Sequence, residues 1–464
     1  MRKKRFVLSI FSLVMITVGS VDSLRNLPAT ALFGSHLIVL FILAALFFLV
    51  PTALASAELA SGWPKQGGVY VWVKEAFGQR IGFFAIWLQW IENVIWYPTI
   101  LAFVAGTIGY LIHPTLAANP YFLWAVIVAC FWGGTWVNLR GIQSSALFAN
   151  ICTISGLLIP MAMIIAFGGA WIMGDNPVQI RFDWANIIPD WGLNGMWVSL
   201  TAIMLSFCGI EIATVHADEV DNPQHAFPRA LSYSVVIIVL TLLLGSLAIA
   251  VVLPKSEISL VAGIMQSFDA FFKHYHTPWL MPLVAIMLVL GGLGGVNNWI
   301  IAPTAGLMVA GKDHNLPAFF LKKNKQGAPV TLLVTQALIV TVLSFLFIFM
   351  PSVNGSYWYL TALAAQLYMV MYGLMLLAAI VLRCRHPKHS ASFRIPGGIG
   401  GVIGICGAGI VGVAVTFVVS FMPPNDIDVG NISHYVMALG TGLMLMCAPP
   451  FLSYAWMNRR GRMG

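Results

Sequence analysis

Thr17-Val18-Gly19-Ser20-Val21-Asp22-Ser23-Leu24-Arg25-Asn26-Leu27-Pro28 sets two charges and several helix-breaking residues inside sequence that otherwise reads as lipid-spanning. A second stretch, Ser206-Phe207-Cys208-Gly209-Ile210-Glu211, does the same. A charge near the centre of a bilayer costs at least ~2.5 kcal/mol, so it is rarely left there without a task. Breaking a helix in hydrocarbon also strands N–H and C=O groups, which is tolerated only where the break lines a cavity or packs against protein.

The surrounding composition makes these interruptions meaningful. The 464 residues are 59% hydrophobic and 9% charged, against roughly 25% charged in soluble domains. Mean hydropathy is +0.88. Runs such as 37–49 and 235–253 are apolar on every helical face, which no amphipathic soluble helix would be. These observations predict an all-α polytopic membrane protein. Twelve apolar segments can be placed, at roughly 6–31, 35–57, 80–111, 121–139, 145–173, 195–216, 228–253, 278–310, 329–350, 356–383, 399–422 and 433–457. They nearly fill the chain, so residues 1–464 read as one polytopic domain. The basic, then apolar, N-terminus imitates a signal peptide. It lacks a small-residue cleavage site and reads as a retained first span.

Orientation follows from charge. With a cytoplasmic N-terminus, 20 of the 24 Lys and Arg fall on the inner side. Only Arg181, Lys255 and Lys273 fall outside, and Arg25 lies within the first span. The positive-inside rule therefore places both termini in the cytoplasm, and the net charge of +8 is topogenic, with no nucleic-acid partner implied. Residues 66–78 carry aromatic and Val residues on one face and Lys74 and Glu75 on the other, which predicts a short helix in the inner interface. Residues 261–275 read similarly, more weakly, on the outer side.

Several function classes lose support here. The six cysteines are scattered singly, with no metal-ligand spacing or disulfide framework. No nucleophile–base set and no Walker motif is present, which argues against an enzyme and against direct ATP drive. No cofactor is called for. Paired interrupted helices instead point to the substrate site of a transporter. Free half-helix N-termini hold carboxylates, and free carbonyls hold ammonium groups. At 1.5 Å per residue Asp22 lies about 24 Å along the first span, and Arg25, Glu92 and Glu211 reach comparable depth. The predicted substrate contacts are Gly19, Ser20, Asp22, Ser206, Cys208, Gly209 and Trp299. Arg25, Glu92 and Glu211 are the predicted gating or charge-coupling residues. A local Asp22–Arg25 ion pair and an Arg25–Glu92 pair across helices are both open. Glu211 reads equally as a carboxylate capping the second half of its span, Glu58 as a structural carboxylate, and His216 as a helix-end histidine or a pH sensor.

The two interruptions lie about 190 residues apart, one in each set of five spans. Segments at about 6–173 and 195–383 thus read as inverted repeats, followed by two extra helices at about 399–457. From Glu211, the chain continues Ile-Ala-Thr-Val-His216-Ala-Asp218-Glu219-Val-Asp221-Asn222-Pro223, then Phe227-Pro228-Arg229-Ala230. This resembles the amino acid–polyamine–organocation (APC) transporters, where Gly-x-Glu is followed by an acidic pair, Asn-Pro and Pro-x-Ala. Ala57-Glu58-Leu59-Ala60, Gly67-Gly68-Val69-Tyr70-Val71-Trp72, 299–306, Gly327-Ala328-Pro329-Val330 and Phe393-Arg394-Ile395-Pro396-Gly397-Gly398 match in order. The look is closest to the bacterial glutamate/GABA antiporter group. That group commonly carries an acidic residue where this chain has Gly295, and lacks Asp22 and Arg25. The chain also ends just past the last span, without a tail long enough to plug a cytoplasmic entrance. The resemblance implies exchange by alternating access in a bacterial plasma membrane. The expected cargo is an amino acid traded for a related amino acid or its amine product, carried by a monomer or homodimer. A proton-coupled permease is the alternative, and an ion channel a more distant one.

Overall fold

Apolar side chains cannot satisfy backbone polar groups, so in hydrocarbon these runs must close their hydrogen bonds internally, as helices. The computed structural model describes residues 9–63, 65, 67–141, 151–189, 196–213, 223–387, 389, 391 and 393–453. Among them are ten helices long and apolar enough to cross a membrane, and no named β-strand. An eleventh crossing follows if the bent pair Ile10–Val21 and Leu24–Ala31 is one span. The second interruption divides Ser199–Ser206 from Ile210–Ala213. The continuation of that segment, with His216 and the acidic pair, lies outside the described residues. The fold is therefore an all-helical bundle of ten to eleven candidate spans.

The centre of the bundle is the Gln79–Ile112 helix, 34 residues long with Pro98 inside it. At 1.5 Å per residue it runs about 51 Å, longer than a bilayer core of roughly 30 Å, an excess that tilt, a kink or extension past the core absorbs. It packs on Met281–Ala310 and on Val353–Arg385. Large apolar side chains stay exposed on the rim, among them Phe11, Leu240, Val342 and Met444, all turned outward where lipid would solvate them. Two glycines set the tightest crossing. A Cβ on Gly156 would fall 2.1 Å from the Gly291 Cα, so only glycine lets these backbones meet, as small residues do between membrane helices.

The amphipathic stretch forms a helix at Val69–Phe77 as expected, but Val69, Tyr70, Val71, Trp72 and Val73 are buried. It packs on the Gln79–Ile112 and Val353–Arg385 helices, so its apolar face meets protein where the sequence suggested lipid. The helix is tied down by Asp313, which takes hydrogen bonds from the Tyr70 hydroxyl and the Lys74 ammonium. Burial and the neighbouring carboxylate push the Tyr70 phenol up, keeping it the donor. Gly263–His274 is a second amphipathic helix, with Phe268, Phe271 and Phe272 buried.

Candidate functional site

The first helix ends at Val21 because Asp22 and Ser23 are extended, with ψ of 133° and 121°. The chain bends by 40° and resumes as a short 3-10 turn, Leu24–Asn26, leading into Leu27–Ala31. The second break turns at Phe207, Cys208 and Gly209, where Gly209 takes a φ of +105°. The two breaks touch. The Ser20 hydroxyl donates to its own helix at Thr17 O (2.9 Å) and reaches the Gly209 carbonyl at 3.4 Å. A Cβ on Gly209 would sit 3.1 Å from the Ser20 carbonyl oxygen.

A cavity of about 160 Å³ opens beside this contact. Liquid water takes about 30 Å³ per molecule and drug-sized pockets begin near 300 Å³, so the space suits a small solute. Of the ten residues singled out from sequence, Gly19, Ser20, Asp22, Arg25, Glu92, Cys208 and Trp299 line it. Gly295 lines it as well. Ser206, Gly209 and Glu211 do not. Ser206 is buried and its hydroxyl is spent on Ile203 O, at 2.6 Å. The Gly209 amide donates to the Tyr372 hydroxyl at 2.8 Å. Glu211, 2% exposed, accepts from Gln89 at 3.0 Å and from Tyr372. It sits behind the break, holding the head of the second half-helix, which is the capping arrangement.

Arg25 is 3% exposed. Its Nη1 donates to Thr99 Oγ1 at 2.6 Å and lies 3.4 Å from the Tyr357 hydroxyl, which itself donates to the Arg25 carbonyl at 3.0 Å. The guanidinium lies 5.1 Å from the centre of the Trp96 ring, in range of a cation–π attraction. Its Nε, buried, has no hydrogen-bond partner among the described residues. Among the described residues no ion pair within 4 Å joins Arg25 to Asp22 or to Glu92, although the charge of Arg25 still acts on Glu92. Thr99 and Tyr357 claim the guanidinium first. Asp22 instead faces the Thr241 hydroxyl, at 2.9 and 3.1 Å from its two oxygens. Glu92, 1% exposed, lies one helical turn before Trp96 and beside Tyr368.

Trp299 closes one wall. Its carbonyl accepts from the Tyr97 hydroxyl at 2.8 Å, and its ring lies 6.1 Å from Trp96. Sequence reading missed Thr99, Thr241, Tyr357, Tyr368 and Tyr372, whose neutral hydroxyls carry no signal in an apolar helix. It also missed the glycine wall at Gly156 and Gly291, although the run Gly291-Gly292-Leu293-Gly294-Gly295 was a usable sign of close backbone approach. Glu58 is structural, as its helix-end position suggested. It forms a buried ion pair with Arg383, with Nε–Oε1 and Nη2–Oε2 both 2.7 Å, and accepts the Ile395 amide at 2.8 Å.

A helical membrane bundle with a small polar cavity at paired helix breaks has the architecture of a multi-pass solute transporter. The family model described as amino acid permease matches residues 8–444, and the chain belongs to that family, within the APC superfamily. An uncharacterized transporter of Legionella pneumophila is 44% identical over 452 residues, spanning 97% of each chain. A glutamate/gamma-aminobutyrate antiporter of Lactococcus lactis is 28% identical over 98% of this chain and 91% of its own. A probable agmatine/putrescine antiporter of the same species is 21% identical over 86% of this chain and 84% of its own.

Proposed function

We propose that this protein exchanges an amino acid for a related amino acid or its decarboxylated amine across a bacterial plasma membrane. In this reading, twelve spans form two inverted five-span repeats plus two further helices, both termini are cytoplasmic, and the cavity is exposed to each side in turn. The observation that carries the reading is the meeting of the two breaks, Ser20 on Gly209, over a cavity that holds buried charge. Unwound backbone supplies donors for a carboxylate and acceptors for an ammonium, the two groups that amino acids carry. The antiporter relatives support exchange over one-way uptake. Gly19, Ser20, Asp22, Cys208 and Trp299 contact cargo, Arg25 and Glu92 set its charge, and Ser206, Gly209 and Glu211 hold the break that shapes the site.

The test is uptake of labelled glutamate, GABA, agmatine or putrescine into proteoliposomes, empty or preloaded with the same compounds. Exchange predicts at least about tenfold faster uptake into preloaded vesicles. Equal uptake into empty and loaded vesicles would remove the antiport claim. A proton-coupled permease remains the second reading, because two carboxylates line the cavity without a cation within 4 Å among the described residues. Uptake that stops when the pH gradient is collapsed, and ignores internal solute, would select it.

A further inference from the structure

Asp22 is 7% exposed and lines the cavity. Thr241 Oγ1 lies 2.9 and 3.1 Å from the two carboxyl oxygens, and also 2.8 Å from Ile237 O and 3.2 Å from Ile238 O. A hydroxyl has a single proton to give and two lone pairs to receive. It satisfies an ionised Asp22 by turning its proton to the carboxylate. It satisfies a protonated Asp22 by accepting that proton and turning its own to Ile237 O. Thr241 thus partners both states of Asp22 without any movement of heavy atoms.

The charged and titratable groups facing Asp22 around the cavity are few. The Gln79–Ile112 helix offers Glu92, the Val353–Arg385 helix offers Tyr368, and the thiols of Cys152 and Cys208 complete the walls. Arg25 is committed to Thr99, Tyr357 and Trp96, and its field falls on Glu92. With both carboxylates ionised, the described cavity carries one negative charge more than its single guanidinium offsets. Buried charge of that kind needs a counter-ion.

Resting on the transport reading, we infer that Asp22 is an ammonium subsite that alternates between a proton and the amino group of the cargo. Binding converts the carboxylic acid and a free alkylammonium into a carboxylate–ammonium pair, and the acid proton leaves to water. Release on the opposite side reverses the step. Exchange of one amine-bearing cargo for another then moves no net proton, whereas return of the empty site carries one proton against the cargo. The subsite takes primary ammonium groups, so a cargo lacking one binds without displacing a proton.

The experiment is a pH-indicator titration of the purified protein in weak buffer, with GABA, glutamate and putrescine as probes. The expected result is about one proton released per molecule bound by the wild type. Asp22→Asn should bind at least about tenfold more weakly and release none. Binding by the wild type without release overturns the subsite alone, and so does undiminished release from Asp22→Asn, which would move the role to Glu92. Failure of every probe to bind the wild type overturns the transport reading and the subsite with it. Should Asp22→Asn fail to fold, Thr241→Val keeps the carboxyl and removes its two-way partner. The pH midpoint of release then moves by about half a unit or more, and an unmoved midpoint overturns the assignment.

Discussion

Gly209 carries two independent demands. Its φ of +105° lies where a side chain is strained, and a Cβ there would press on the Ser20 carbonyl oxygen at 3.1 Å. Gly209→Ala should cost about 1–3 kcal/mol in backbone strain and wedge the two breaks apart. The expected outcome is a loss of exchange of at least about tenfold, with a smaller fall in melting temperature. Gly133→Ala is the control, because a Cβ at Gly133 meets nothing within 4 Å. Wild-type exchange by Gly209→Ala would mean that the contact between breaks is dispensable. The break itself was legible from Cys208-Gly209-Ile210-Glu211, since glycine beside a carboxylate inside an apolar run has few other uses. What Glu211 does there was not. Its partner Tyr372 lies 161 residues away and is one tyrosine among several in its helix. For the same reason Arg25 looked like a partner for nearby carboxylates, until Thr99 and Tyr357 took its donors.

At the scale of elements, Glu58 and Arg383 join the end of the Val50–Gly62 helix to the end of Val353–Arg385. Ile395 of the segment that precedes Gly398–Val419 closes the group through its amide to Glu58 and its carbonyl from Arg383. All three backbones are fixed by one buried ion pair. Removing one member strands the other charge, so Arg383→Met should destabilise the protein by about 3–5 kcal/mol. Glu58→Gln/Arg383→Met should recover much of that loss, since neither charge is then left alone. Thermal unfolding of both variants checks this, and equal loss in the single and double variants would show that Arg383 acts by packing alone. Helix positions were readable here because apolar runs and their Gly and Pro boundaries are local. The ends of Gln79–Ile112 and Pro120–Leu139 fall within a residue of expectation. The burial of Val69–Phe77 was not readable, because an amphipathic face looks alike whether it meets lipid or a neighbouring helix.

For the whole molecule, charge asymmetry bears on one question, which way the chain is threaded through the membrane. In the proposed orientation, the Arg383–Arg385 end of the Val353–Arg385 helix faces the cytoplasm. Cys384 sits there and is the exposed cysteine among the six. It gives a native reporter of orientation that needs no engineered site. A membrane-impermeant maleimide should label Cys384 in inside-out vesicles and leave it untouched in right-side-out ones, with Cys384→Ser abolishing the signal. On a Cys384→Ser background, Lys273→Cys should label with the opposite sidedness, because Lys273 is exposed in the last turn of Gly263–His274 and three proposed spans separate it from Cys384. Labelling of both positions from one side would break the span count between residues 273 and 384. Reversed labelling of both would keep the count and invert the molecule.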